Sequence, residues 1–366
     1  MKSFAMPEKS KKRWEAFWKC EVLDRPALLA VARQRESDPV RPLPDGAPPR
    51  IPLPPPPRNR DEYDYWFDID NMIERNLRHA AEYAYTCEAS PMLDTRWSVA
   101  YCLPFGVKCG YNEHAAWCEP LGDVGCANGF AYDYGGLWHK WLIDGTKRMA
   151  EAGRGLYYLS PVMWGNHSGD TLSNLVGLGR LMTDCADRPG DVRRALETIT
   201  DAQIAVFSEI TEIAKATGLE GTRNYTGIWS PEAALSFDCD VSAMVSPRTF
   251  TDIFLPPLER IMETVSHRIY HLDGPCCLQH LDALLGLPQL QAIQWVPGAG
   301  RENLDDWYWL YEKIQAAGKS IIVYANCGQA LDVCRRLKPE GLAISVRSES
   351  EGEMAETVEK VEAFYR

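Results

Sequence analysis

The spacing of apolar residues changes period along this chain, and each change marks an element. Residues 8–20 place Trp14, Phe17 and Trp18 on one side and the lysines on the other, the 3.6-residue repeat of an amphipathic helix. Asp24-Arg25-Pro26 then leads into ALLAVA, a short continuous apolar run that reads as a core strand. From Pro39 to Pro57 ten prolines forbid regular structure, so residues 39–58 form an excursion or lid in extended conformation. Residues 61–85 have a helical pattern that ends near Ser90-Pro91, and residues 90–136 are rich in aromatics, glycine and cysteine. Residues 138–153 predict a helix closed by glycine, 155–163 a core strand, 191–217 a long amphipathic helix ended by Gly218, and 221–229 another strand.

The last hundred residues are the most regular. IYHLD, AIQWVP, SIIVYAN and GLAISV are strands, each followed by a helical pattern: 278–285, 305–317, 329–337, and a final helix reaching Tyr365. Four consecutive strand-helix units with glycine-marked returns call for parallel strands and right-handed crossovers. No G-x-G-x-x-G follows any strand, which argues against a dinucleotide-binding doubly wound sheet. With earlier strands near residues 27, 98, 155 and 221 the total is eight. Residues 1–366 are therefore expected to form one (β/α)8 TIM barrel, with the N-terminal helix across its floor and the proline-rich insertion within it.

Charge narrows the partners. Lys plus Arg total 39 against 51 Asp plus Glu, a net −12, so a nucleic-acid or anionic-membrane surface is not expected. The N-terminus lacks the apolar run of a signal sequence, and no stretch approaches the ~18 apolar residues of a membrane span. Twelve scattered cysteines then suggest reduced thiols in a cytoplasmic protein. The sequence leaves a homodimer open.

Candidate chemistry collects at HLDG, residues 271–274, where a strand ends in two polar side chains on one face. His271 and Asp273 would stand at the barrel mouth, either as metal ligands or as an acid–base pair in which Asp273 fixes the imidazole tautomer. Tyr225, Trp229, Trp295 and Tyr324 near other strand ends would wall a pocket for a planar or methylated substrate, and Arg347 could take a carboxylate. Alternatively, the aromatics fill the barrel core. Cys102, Cys109, Cys118 and Cys126 lack the C-x2-C spacing of zinc or iron–sulfur sites and read as free thiols, as do Cys276 and Cys277. Cys239 lies in a loop between Asp238 and Asp240.

The segments FDCDVSAMVSPRTFTDIFLPPLERI (237–261), IYHLDG (269–274), AIQWVPGAG (292–300) and LKPEGLAISVRSES (337–350), with weaker agreement at 24–30 and 163–184, resemble the uroporphyrinogen decarboxylase superfamily. That superfamily holds the decarboxylase and zinc-dependent methyltransferases that serve corrinoid proteins. The decarboxylase branch has an arginine-rich segment after its first strand; Arg33 and Arg35 stand there, but Glu36 and Asp38 oppose an anionic ligand. In the methyltransferase branch the fifth strand ends in His-x-Cys-Gly and a late cysteine completes a zinc site. His271 and Gly274 match, while Asp273 replaces the first cysteine. Asp is an acceptable zinc ligand; the last strand, where the family's cysteine would fall, offers Ser345 and Ser348, so Cys327, after the seventh strand at the same barrel end, is the third ligand expected with His271 and Asp273. The implied activity is demethylation of a small O- or N-methylated substrate, with the methyl group passed to a corrinoid protein. The alternative is a metal-free decarboxylase or lyase using His271 and Asp273.

Overall fold

The computed structural model describes residues 4–34, 43, 46–57, 61–94, 98–122, 130–160 and 167–366. Helix α1 (Glu8–Trp18) forms where the apolar repeat requires it and buries Trp14, Phe17 and Trp18. The principal strands in chain order are β1 (Ala27–Arg33), β2 (Tyr83–Cys87), β3 (Met92–Asp94), β4 (Tyr158–Ser160) and β5 (Ala234–Phe237). They continue with β6 (His267–Asp273), β7 (Ala292–Val296), β8 (Ser320–Ala325) and β9 (Leu342–Ser348). Seven of them form one sheet in the order β2-β1-β9-β8-β7-β6-β5, parallel at every pairing except β1 with β2. β3 and β4 form a separate parallel pair. This mixed α/β architecture with a mostly parallel central sheet is compatible with an α/β barrel; among the described residues no ladder joins the pair to the sheet.

Alternation along the strands sends side chains to two environments. One face collects Ala27, Leu29, Tyr158, Ala234, Ile269, Ala292, Ile322 and Ala343, together with Trp14, Phe17 and Trp18 of α1. The other buries Leu28, Ala30, Phe237, Tyr270, Leu272, Ile293, Trp295, Val323 and Ile344 against the helices. The N-terminal helix thus closes the amino-terminal end of the first face, and the Trp18 indole N–H donates to the Trp229 carbonyl at 2.9 Å.

The first half departs from the sequence pattern in three places. Residues 61–85 are not one helix. Asp61 caps Glu62–Phe67, Asp68 caps α2 (Ile69–Ala81), and the alternating YAYTC that follows becomes β2, antiparallel to β1. The strand expected near 98 lies earlier, at β3, and Ser98–Tyr101 is a 3-10 turn. The strand expected at 221–229 is a tight antiparallel hairpin, Thr222–Arg223 against Trp229–Ser230, and the sheet strand is β5 just beyond it. The helices α3 (Leu137–Gly153) and α5 (Pro189–Lys215) form close to their expected bounds, with α4 (Ser168–Val176) between them.

Gly227 turns that hairpin at φ +90°, where an added Cβ would lie 2.8 Å from Arg223 Nη2 and 2.9 Å from Leu29 Cδ2. A Gly227→Ala protein should therefore lose about 1–3 kcal/mol in urea denaturation, and an unchanged midpoint would contradict this turn. Residues 46–57 carry no helix or strand, as the prolines require, and are pinned by Arg50 to Glu351 at 2.6 Å and by Arg78 to the Pro54 carbonyl at 2.5 Å. The rest of the 39–58 excursion (39–42, 44, 45 and 58) and Cys126 lie outside the described residues. Among the described residues no helix is long and apolar enough to cross a membrane.

Candidate active site

Following the concave face toward the carboxyl ends of the strands, the side chains change character. Ala234, Ile269, Ala292, Ile322 and Ala343 are each followed two residues later by Ser236, His271, Gln294, Tyr324 and Ser345. A polar layer therefore sits on an apolar one, because period-two alternation keeps both on the same face. Parallel register puts His271 beside Gln294, and Tyr324 beside Ser345.

These neighbours form a hydrogen-bonded chain whose polarity can be read. Gln294 Nε2 donates to the Tyr324 hydroxyl at 2.6 Å, so its Oε1 is the atom 2.8 Å from His271 Nδ1. The carbonyl oxygen can only accept, so His271 carries a proton on Nδ1 and its neutral form presents Nε2 as a base. Tyr225 lies edge-on to the His271 ring with centroids 6.0 Å apart. Burial holds the Tyr225 phenol well above its usual range, keeping it neutral.

Next to this chain, beyond β5, is a group of acids. Asp238 is 4% exposed, and its Oδ1 has no hydrogen-bond partner. Burial first, then the charge of Asp240, pushes its carboxyl up to about 7, against the opposing influence of His271 and the His167 backbone N–H. Burial also raises Asp240. Asp170, in the first turn of α4, accepts the backbone N–H groups of Asp240 and Val241 at 3.1 and 2.9 Å, so it fixes the path of this loop. The His167 ring is wholly buried, donates from Nε2 to the Ser236 carbonyl at 3.0 Å, and is held neutral by burial, its pKa lowered to about 4. A carboxylic acid that keeps its proton near neutral pH, beside an oriented imidazole, is an acid–base couple.

Of the residues expected at the site, His271, Asp273, Tyr225, Tyr324 and Arg347 occupy the concave side or its margin. Asp273 lies one step beyond His271 on the same face of β6, and its charge raises both Asp238 and Asp240. Tyr225 and Arg347 line a cavity of about 340 Å³ with Leu29, Tyr85, Ser345 and Asp94. His271 and Asp238 do not line this cavity; Tyr225 belongs to both regions.

Two expected pocket walls are elsewhere. Trp229 is 1% exposed at the floor, under α1, with its indole N–H on the Glu220 carbonyl at 2.9 Å. Trp295 is 1% exposed on the helix side of β7 against Trp307, because it has the opposite parity to Gln294. Cys327 is half-buried and packs with the helix-side core, and among the described residues no three His, Cys, Asp or Glu side chains gather as a metal-ligand set. In this arrangement His271, Asp273 and Cys327 do not gather as a zinc-ligand set. Cys239 is buried toward the helices, away from the opening.

The chain shares its fold with a methyltransferase from Methanosarcina mazei, at 11% sequence identity and a TM-score of 0.58, with 98% of this chain and 99% of that one covered. No family model and no curated protein sequence matches it. The structural likeness shows a shared fold across 98% of the chain.

Proposed function

We propose that this protein is a methyltransferase of the uroporphyrinogen decarboxylase superfamily that demethylates a small O- or N-methylated substrate and passes the methyl group to a corrinoid protein. The observation that carries the reading is Asp238, buried with no hydrogen bond to Oδ1, the His167 ring 3.6 Å from that atom, and its carboxyl pushed up to about 7 near His271, in a fold shared with a methyltransferase. Breaking a carbon–oxygen or carbon–nitrogen bond leaves an electron pair on the heteroatom, and a positioned acid that protonates it lowers the barrier. Asp238 supplies that proton. His271, held by Gln294 through Nδ1, takes up or returns a proton at Nε2. The neutral Tyr225 phenol borders both groups and can orient the substrate heteroatom. The partner's corrinoid supplies the acceptor for the methyl carbon.

Incubation with a reduced corrinoid protein and a panel of methyl ethers and methylamines tests this, read as corrinoid methylation by absorbance. No methylation from any donor would overturn it. The same acid and imidazole also suit a lyase that protonates a carbanion after carboxylate loss; substrate-dependent release of carbon dioxide with no methyl acceptor would select that reading. The hydrogen-bonded chain makes a narrower prediction. Gln294→Leu removes both bonds of the relay and should lower kcat by about tenfold with KM nearly unchanged, since His271 loses its orientation rather than its contact with substrate. An unaltered kcat would show that the relay is structural only.

A further inference from the structure

The 340 Å³ cavity has an unusual lining for an acidic protein. Three arginines border it, Arg75, Arg223 and Arg347, and the acid among its lining residues is Asp94. Arg223 is 3% exposed, and its Nη atoms donate to the Ser90 carbonyl and hydroxyl and to the Gly227 carbonyl. Its Nε–H has no partner. Arg75 gives its Nε to Asn71 Oδ1 at 2.8 Å and stacks on the Tyr65 ring at 3.8 Å. Among the described residues no carboxylate pairs with any of the three.

The Arg223 guanidinium, tied only to neutral oxygens, keeps its charge in a poorly hydrated place beside the half-buried Arg75 and the exposed Arg347, and an arriving anion would neutralise it. We infer that this cavity is an anion site, in which Arg223 and Arg347 hold the carboxylate of a small aromatic acid and Arg75 adds charge to the same space. Size and chemistry agree: the volume is at the lower end of small-molecule pockets, and Tyr83, Tyr85 and Tyr225 are among the lining residues that a planar aromatic body would meet. Tyr225 also joins the cavity to His271. Resting on the proposed methyl transfer for this step alone, the donor is an aryl methyl ether with a carboxylate at its far end.

Calorimetric titration with 4-methoxybenzoate and with its neutral amide tests the assignment on the intact protein. Wild type is expected to bind the acid saturably and at least about tenfold more tightly than the amide. Arg347→Gln and Arg223→Gln should each erase most of that preference. Circular dichroism checks that Arg223→Gln is folded; if it is not, Arg347→Gln decides alone. Equal affinity for acid and amide, no saturable acid binding at millimolar concentration, or a preference that survives the substitutions would overturn the anion site. Preferential binding without corrinoid methylation would instead count against the methyl-transfer reading and leave the anion site standing.

Discussion

An Asp238→Asn protein is expected to lose roughly 10²–10⁴-fold in turnover and at the same time to become more stable than wild type above pH 7. Both effects have one cause. Wild-type Asp238 sits where burial and the neighbouring Asp240 disfavour its ionised form, moving its pKa from 3.8 to about 7. Asparagine keeps the shape, carries no charge to bury and has no acid proton to give.

The sign of the pH dependence follows from the direction of that shift. A group whose folded pKa is raised binds its proton more tightly in the folded state, so its stabilising contribution is complete below about pH 4. It is lost progressively as pH rises through about 7. The interval corresponds to at most about 4 kcal/mol, and sharing of charge among Asp170, Asp238 and Asp240 reduces what Asp238 alone contributes. Wild type and Asp238→Asn should therefore unfold at similar urea concentrations near pH 4.5 and separate by about 1–3 kcal/mol near pH 8, with the variant the more stable. Wild-type kcat/KM should fall as pH rises through 7, because the acid loses its proton. A stability difference that is flat with pH, or an active Asp238→Asn protein, would remove Asp238 from the chemistry.

The second half of the chain is readable because its strands are largely buried and are entered through glycine turns such as Gly318 and Gly341, which leaves little ambiguity of period. The first half is not, for local reasons. Tyr83 and Tyr85 fit the phase of the preceding helix as well as strand alternation, and only pairing with β1 decides between them. Of the four aromatics, Trp295 and Trp229 miss the pocket, the first on parity and the second on depth. Once His271 is placed on the concave face, register puts Gln294 beside it and turns Trp295 to the helices. Trp229 lies at the floor because the 221–229 segment folds back as a hairpin. Asp238 was visible as a residue of the FDCD segment, but its acidity depends on burial and on the neighbouring Asp240, which depend on packing.

A Glu88→Ala substitution should have the largest effect on stability, about 3–5 kcal/mol, although Glu88 belongs to no reacting group. Its side chain is fully buried and accepts from Arg25 at 2.6 Å, Arg13 at 2.8 Å, Ser10 at 3.0 Å and the Leu28 backbone N–H at 2.8 Å. The assembled cluster adds little net stability, because removing these charges from water offsets most of their attraction. Loss of the carboxylate is different: it leaves the buried Arg25 guanidinium with only the neutral Pro26 carbonyl, Arg13 with Asp24 alone, and the Leu28 backbone N–H without an acceptor. The damage should also reach the cavity. Glu88 ties α1 to β1 immediately before Ala89 and Ser90, and Ser90 receives the Arg223 guanidinium. Glu88→Gln, which keeps the shape and one acceptor oxygen, should cost about half as much. Urea titrations at pH 7 read both values, and titration of the folded Glu88→Gln protein with 4-methoxybenzoate reads the transmitted effect as weaker binding. A loss below about 1 kcal/mol for Glu88→Ala, the range of an exposed ion pair, would mean that the two arginines find water or new acceptors.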